Sequence, residues 1–136
     1  MSFSRHHRVN DRTQCVLNRY SVKDGWSIPG GASKLLSHAI SGLQELGFAK
    51  VITWSDNRLS QGNVYFKMGF SLDREYGPDY SYVKNQKRYS KQSMKIKPQE
   101  RGLNKTELEL RTEQGFKRIW DCGKKRFVLD ISPSPI

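Results

Sequence analysis

The sequence predicts an α/β fold: a mixed sheet with one helix after a glycine loop, extended by a basic C-terminal helix and β-hairpin. Three observations carry this. Leu35, Leu36, Ala39, Ile40, Leu43 and Leu46 recur at three- and four-residue spacing, the stripe of an amphipathic helix. Short β-branched and aromatic runs lie on both sides of that stripe. The basic residues are unevenly spread: residues 1–83 hold 10 basic and 7 acidic side chains, whereas residues 84–136 hold 14 and 6.

In chain order, residues 1–12 are polar and basic and read as a loose arm. Thr13 to Val22 contains Cys15, Val16, Leu17 and Tyr20 and predicts a strand. Lys23-Asp24-Gly25 is a turn signal, and Trp26 to Ser33 is a glycine-rich loop that opens the helix. Gly47 stops the helix, and Ala49 to Trp54 predicts the next strand. Strand, helix, strand makes a βαβ unit with a parallel pair. Asn63 to Met68 predicts a short helix ended by Gly69. Phe70 to Leu72 and Tyr80 to Val83 predict two strands, with Phe70, Tyr80 and Tyr82 facing one another across a hairpin. Residues 13–83 thus form one α/β half-domain, and residues 84–136 a basic extension. Within that extension Asn104 or Thr106 caps a helix to about Gln114, with Leu103, Leu108 and Leu110 available for packing. Runs at 116–122 and 126–131 flank Gly123-Lys124-Lys125 as a closing hairpin.

With 24 Lys and Arg against 13 Asp and Glu, the 136-residue chain carries a net charge of +11. Such an excess points to a polyanionic partner, nucleic acid first, against the plainer alternative of a solubilising surface. No apolar run approaches the roughly 18 residues a membrane span needs. Met1 to Arg8 lacks the apolar stretch of a signal peptide, and Cys15 and Cys122 make no disulfide framework. A cytoplasmic protein with reduced thiols and no membrane partner is expected.

Lys84 to Lys97 carries six basic residues and no acidic one, interleaved with an aromatic. Lys84, Lys87, Arg88, Lys91 and Lys95 are the candidate phosphate contacts, and Tyr89 is the candidate to stack on an unpaired base. No recognition-helix motif accompanies them, so backbone contacts rather than base readout are expected. Metal chemistry finds little footing. His6-His7 sit in the basic arm, His38 is isolated on a helix, and no Cys-x-x-Cys or His-x-x-x-His spacing occurs, so no metal site is expected. Asp56, Asp73, Glu75 and Asp79 match no nuclease pattern.

Gly30-Gly31-Ala32 ahead of a helix suits an anion such as a pyrophosphate, or simply packs a helix on a strand. Gly30 to Leu36, the helix and strand that follow, and Asn63 to Phe70 together resemble the GNAT acyltransferase core. In that family a Gln/Arg-x-x-Gly-x-Gly/Ala loop cradles the acetyl-CoA pyrophosphate, and a Tyr shortly before Gly-Phe protonates the leaving thiolate. The resemblance assigns Gly30 and Ala32 to the loop, Gly31 and Ser33 beside them, and Tyr65 to the general acid before Gly69-Phe70. Ser27 falls where the family has Gln or Arg, and Asn57 falls near the family's strand Asn. Few residues precede the loop, so a GNAT-like half-fold is expected, completed by a second copy or a partner chain.

A closer resemblance is to phage Hef-type homing endonuclease-like proteins, whose GNAT-like region is akin to the Mom DNA-modification proteins. It rests on Gly-Gly-Ala-Ser-Lys-Leu-Leu, on Ser55 to Asn63, on Tyr65 to Phe70 and on Arg118 to Gly123. It implies a phage-type DNA-binding function. The alternatives are a CoA-dependent N-acyltransferase taking acetyl-CoA or another acyl-CoA, with a DNA or protein acceptor, and an interaction subunit or half of a split enzyme.

Overall fold

The computed structural model describes residues 1–6 and 8–133, so His7 of the His6-His7 pair lies outside the described residues. Along the chain run β1 (Ser2–Arg5), β2 (Gln14–Arg19), α1 (Gly31–Glu45), β3 (Lys50–Asp56), α2 (Asn63–Lys67), β4 (Ser71–Tyr76), β5 (Tyr80–Lys84), β6 (Lys87–Tyr89), two 3-10 segments (Gln92–Met94 and Pro98–Leu103), α3 (Glu107–Glu113), β7 (Lys117–Trp120) and β8 (Lys124–Asp130). They divide into two compact units. One is Met1–Tyr76 with the chain from Lys124 onward, and the other is Gly77–Gly123. The protein is mixed α/β, as the sequence predicts.

The first unit is a five-stranded mixed sheet in the order β1-β2-β3-β8-β4. The expected βαβ unit is there: β2 and β3 pair in parallel, joined through α1, and every other neighbouring pair is antiparallel. Cys15, Leu17, Val51 and Phe127 of the sheet pack with Leu36 and Leu43 of α1, and with Phe48 and Phe70. Burying each large apolar side chain stabilises the unit by about 1.5–3 kcal/mol. Burial also pushes the Cys15 thiol up to about 11.

The second unit is a three-stranded antiparallel sheet, β6-β5-β7, with α3. Asn85 and Gln86 both take positive φ, 50° and 61°, and close the two-residue turn between β5 and β6. Thr106 caps α3 by accepting from the Glu109 amide, while the Glu109 carboxylate accepts from the Thr106 amide.

Among the described residues, α1, α2 and α3 stop the same way. Gly47-Phe48, Gly69-Phe70 and Gly115-Phe116 each follow a helix, with the glycine at φ between 86° and 93°. In each the Phe amide donates to a helix carbonyl five residues back, that of Leu43, Tyr65 or Arg111. The glycine amide reaches a carbonyl three residues back, that of Gln44, Phe66 or Thr112. This is the Schellman arrangement.

Several expectations are corrected. Ser2–Arg5 is an edge strand paired with β2 rather than part of a loose arm. β4 and β5 do not pair with each other: β4 lies against β8 in one sheet, and β5 lies between β6 and β7 in the other. The runs at 116–122 and 126–131 are likewise no hairpin, because β7 and β8 belong to different sheets. The unit boundaries therefore fall at Tyr76 and Lys124 instead of after residues 12 and 83. The physical reason is the same throughout. Strandedness is a local property, but the partner is chosen by whichever apolar faces can be buried together. Phe127, fully buried, belongs with the α1 core.

Candidate nucleic-acid interface and glycine-loop site

In the Gly77–Gly123 unit, alternation along the strands sorts side chains onto two faces. Tyr80 and Tyr82 on β5 sit opposite Trp120 and Arg118 on β7, and Tyr82 also sits opposite Tyr89 on β6. On the other face Val83 is flanked by Arg88 on one side and Lys117 on the other. The six candidate residues Lys84, Lys87, Arg88, Tyr89, Lys91 and Lys95 all belong to this unit but do not form one patch. Lys84 donates to the Gln114 carbonyl at 2.5 Å and lies over the Phe116 ring. Lys87 lies over the Tyr89 ring, and Arg88 donates to Ser81 Oγ at 2.8 Å. Tyr89 is half-buried edge-on to Phe116 at 5.2 Å. Lys91 pairs with Asp79 at 2.9 Å, which raises its pKa, and sits 4.5 Å over the Tyr80 ring. Lys95 is exposed beside the Gln92–Met94 segment.

Two buried polar groups hold the unit together. Tyr82 is fully buried, donates to Glu107 Oε1 at 2.9 Å and accepts from Arg118 Nε at 3.2 Å. Burial pushes its phenol above the ordinary value. Arg111 is only 3% exposed and makes a bidentate pair with Glu100, both bonds at 2.9 Å. It also donates to the Met94 and Lys95 carbonyls and to Gln114. That hydrogen bonding holds the Glu100 carboxyl down to about 2.

The charge left over is what a ligand meets. The unit has eleven basic and six acidic residues. Every acidic one is used internally. Asp79 holds Lys91, Glu100 holds Arg111, and Glu113 holds Lys105. Glu107 holds the two tyrosines, Glu109 holds the Thr106 amide, and Asp121 accepts from the Asp79 and Gly123 amides. Lys84, Lys87, Arg88, Lys95, Lys97, Arg101 and Lys117 have no acidic partner among the described residues, and all but Lys84 are exposed. The basic cluster around the 123–125 turn is split. Lys125 and Arg126 belong to the first unit, facing Glu75 and Asp73 across to β4 at 3.9 and 3.4 Å.

The glycine loop belongs to the first unit. β2 and β3 are laddered only from Gln14–Lys50 to Val16–Ile52, and then part. Thr53 Oγ1 donates to the Leu17 carbonyl at 3.1 Å beyond that point. Gly30, at φ 71°, precedes α1, whose first turn contains no acidic residue. The Gly31 amide is already spent on the Ile28 carbonyl at 3.0 Å. A Cβ on Gly31 would meet Ile28 at 2.9 Å and the Tyr20 hydroxyl at 3.3 Å, whereas one on Gly30 would meet nothing within 4 Å. Ala32 packs against the core and Ser33 is half-buried, while Ser27 is exposed in the loop. Asn57 lies in the turn after β3. Tyr65 sits on α2 with its ring 5.9 Å from Phe70 and 5.2 Å from Phe127. The spacing of Tyr65 to Gly69-Phe70 thus has an account within the fold, since it is the Schellman stop of α2.

Among the described residues no three His, Cys, Asp or Glu side chains converge as a metal site, and no helix is long and apolar enough to cross a membrane. No family model matches the chain, and no curated protein matches its sequence.

Proposed function

We propose that this chain binds nucleic acid through the Gly77–Gly123 unit, as a phage-type DNA-binding protein of the kind its sequence resembles. The observation that carries the reading is the internal use of every acidic side chain there, with six exposed cations left without an acidic partner among the described residues. Exposed, unneutralised Lys and Arg displace counterions from a phosphate backbone, and that release drives association. Lys87→Ala together with Lys117→Ala is expected to flatten the slope of log K against log salt by about 1.8 on duplex DNA and about 1.4 on a single strand. Fluorescence anisotropy at four salt concentrations measures it. Lys23→Ala with Lys34→Ala, in the other unit, is the control and leaves the slope unchanged. An unchanged slope in the first variant, or an equal change in the control, overturns the assignment.

A second reading is a GNAT-like acyl-CoA-dependent N-acyltransferase with Tyr65 as general acid. It is favoured by the parting of the parallel strands β2 and β3 near the start of α1, since ligands of open α/β sheets enter at the carboxyl ends of such strands. The spent Gly31 amide and the filled space above it weaken it. Calorimetric titration with acetyl-CoA is expected to give no heat, and a saturable isotherm lost in Ala32→Leu would reinstate it.

A further inference from the structure

We infer that the nucleic acid this unit takes is single-stranded, and that Trp120 is the platform on which an unpaired base stacks; the inference rests on the nucleic-acid reading above. Trp120 is 61% exposed at the end of β7, which is an edge strand of the small sheet. A large aromatic left in water, beside a sheet whose Tyr82 is fully buried, is the feature that needs an occupant. Its one ring contact among the described residues is Tyr80, in an edge-type contact at 5.2 Å, and most of the indole stays in solvent. Tyr80 is in turn held by Arg118, 4.0 Å from its ring centre, and by Lys91 at 4.5 Å. Arg118 and Lys91 are themselves paired, with Glu107 at 4.0 Å and Asp79 at 2.9 Å, so they fix the indole's support, and the phosphates of a bound strand fall to the exposed cations of this unit that have no acidic partner among the described residues. The nearby carboxylates are spent: Asp79 on Lys91, and Asp121 on the Asp79 and Gly123 amides.

The alternative aromatic is poorly placed. Tyr89 is half-buried, with Phe116 at its edge and the Lys87 ammonium over its ring. Duplex recognition is also disfavoured here. α3, the unit's one α-helix, has Glu107, Glu109 and Glu113 along seven residues, and its Arg111 is buried. A helix carrying that charge does not enter a phosphate-walled groove. An exposed indole on a sheet edge, in a unit with exposed cations that lack an acidic partner among the described residues, is instead the arrangement that holds unstacked bases, whatever their sequence.

The test uses the full chain and three fluorescein-labelled probes of equal length: oligo-dT, its abasic counterpart with the same phosphates, and a duplex. The wild type is expected to bind oligo-dT roughly tenfold tighter than the abasic strand. Trp120→Ala is expected to erase that difference while leaving the salt slope unchanged, and Trp120→Phe to keep part of it. Equal affinity for the dT and abasic strands, or a preference that survives Trp120→Ala, overturns the inference but leaves the nucleic-acid reading standing. Binding of none of the three probes removes both.

Discussion

Arg111→Met is expected to destabilise the Gly77–Gly123 unit by about 3–5 kcal/mol, because it leaves the Glu100 carboxylate in place with its cation gone. The loss goes beyond the ion pair. Arg111 also bonds the Met94 and Lys95 carbonyls, so the stretch 92–103, with Lys95 and Lys97 between its two 3-10 segments and Arg101 in the second, loses its tether to α3. Combining Arg111→Met with Glu100→Met is expected to recover only part of the loss, since those carbonyls stay unsatisfied. Urea unfolding followed by near-ultraviolet circular dichroism, with amide exchange in β5 to β7, measures both. A loss under about 1 kcal/mol would assign the pair no structural role. The same pair sets an acid limit. Glu100 is held down to about 2 from 4.5, so its contribution is complete above pH 4.5 and drains away as the pH falls towards 2.

Gly62→Ala is expected to cost about 3 kcal/mol in the first unit, from two separable causes. Gly62 sits at φ 78°, a backbone region that costs other residues roughly 1–2 kcal/mol. A Cβ there would also fall on the Phe127 ring, 2.7 Å from Cε2. Phe127 cannot yield, because it is fully buried with Tyr65 and Phe66 rings both 5.2 Å away. Gly30→Ala isolates the first cause, having φ 71° and nothing within 4 Å of the added carbon, and is expected to cost about 1–2 kcal/mol. Equal losses in the two variants, by thermal and urea unfolding, would mean that the Phe127 contact relaxes freely.

What the sequence made legible follows the range of the signals involved. The helix stripe from Leu35 onward, the Thr106 cap and the three Gly-Phe stops are encoded within a few residues, and α1, α2 and α3 appear where those signals put them. Pairing across the chain is not encoded that way. The run from Arg126 to Ile131 looks like half of a hairpin until Phe127 is seen to complete the core of Leu36 and Val51. Packing by charged side chains is equally hidden. Leu103 and Leu108 are 55% and 43% exposed, while Arg111, which a helix pattern assigns to solvent, is buried. For the candidate interface, the basic residues were readable as a group. Their division between two sheet faces was not, and neither was the exposure of Trp120, because a tryptophan in an alternating run looks like core. The Asn85-Gln86 turn, flanked by Val83 and Tyr89, was the available signal for the hairpin that divides them.

The place of β8 has a consequence for how the chain acquires its shape. β8 follows every other described strand in the chain, yet it lies between β3 and β4 and pairs with both. Until it emerges, β4 has no neighbour in its sheet, and one edge of β3 stays open to any strand that can add to it. The pairings of β5, β6 and β7, by contrast, close entirely within Gly77–Gly123. On a ribosome the middle of the chain thus becomes foldable before its beginning does. The larger sheet carries the high contact order and the waiting time, with its apolar face exposed to aggregation meanwhile. Tyr76 and Lys124 are ladder neighbours, so the inserted unit leaves and re-enters the sheet at one point, as a loop does in a hairpin.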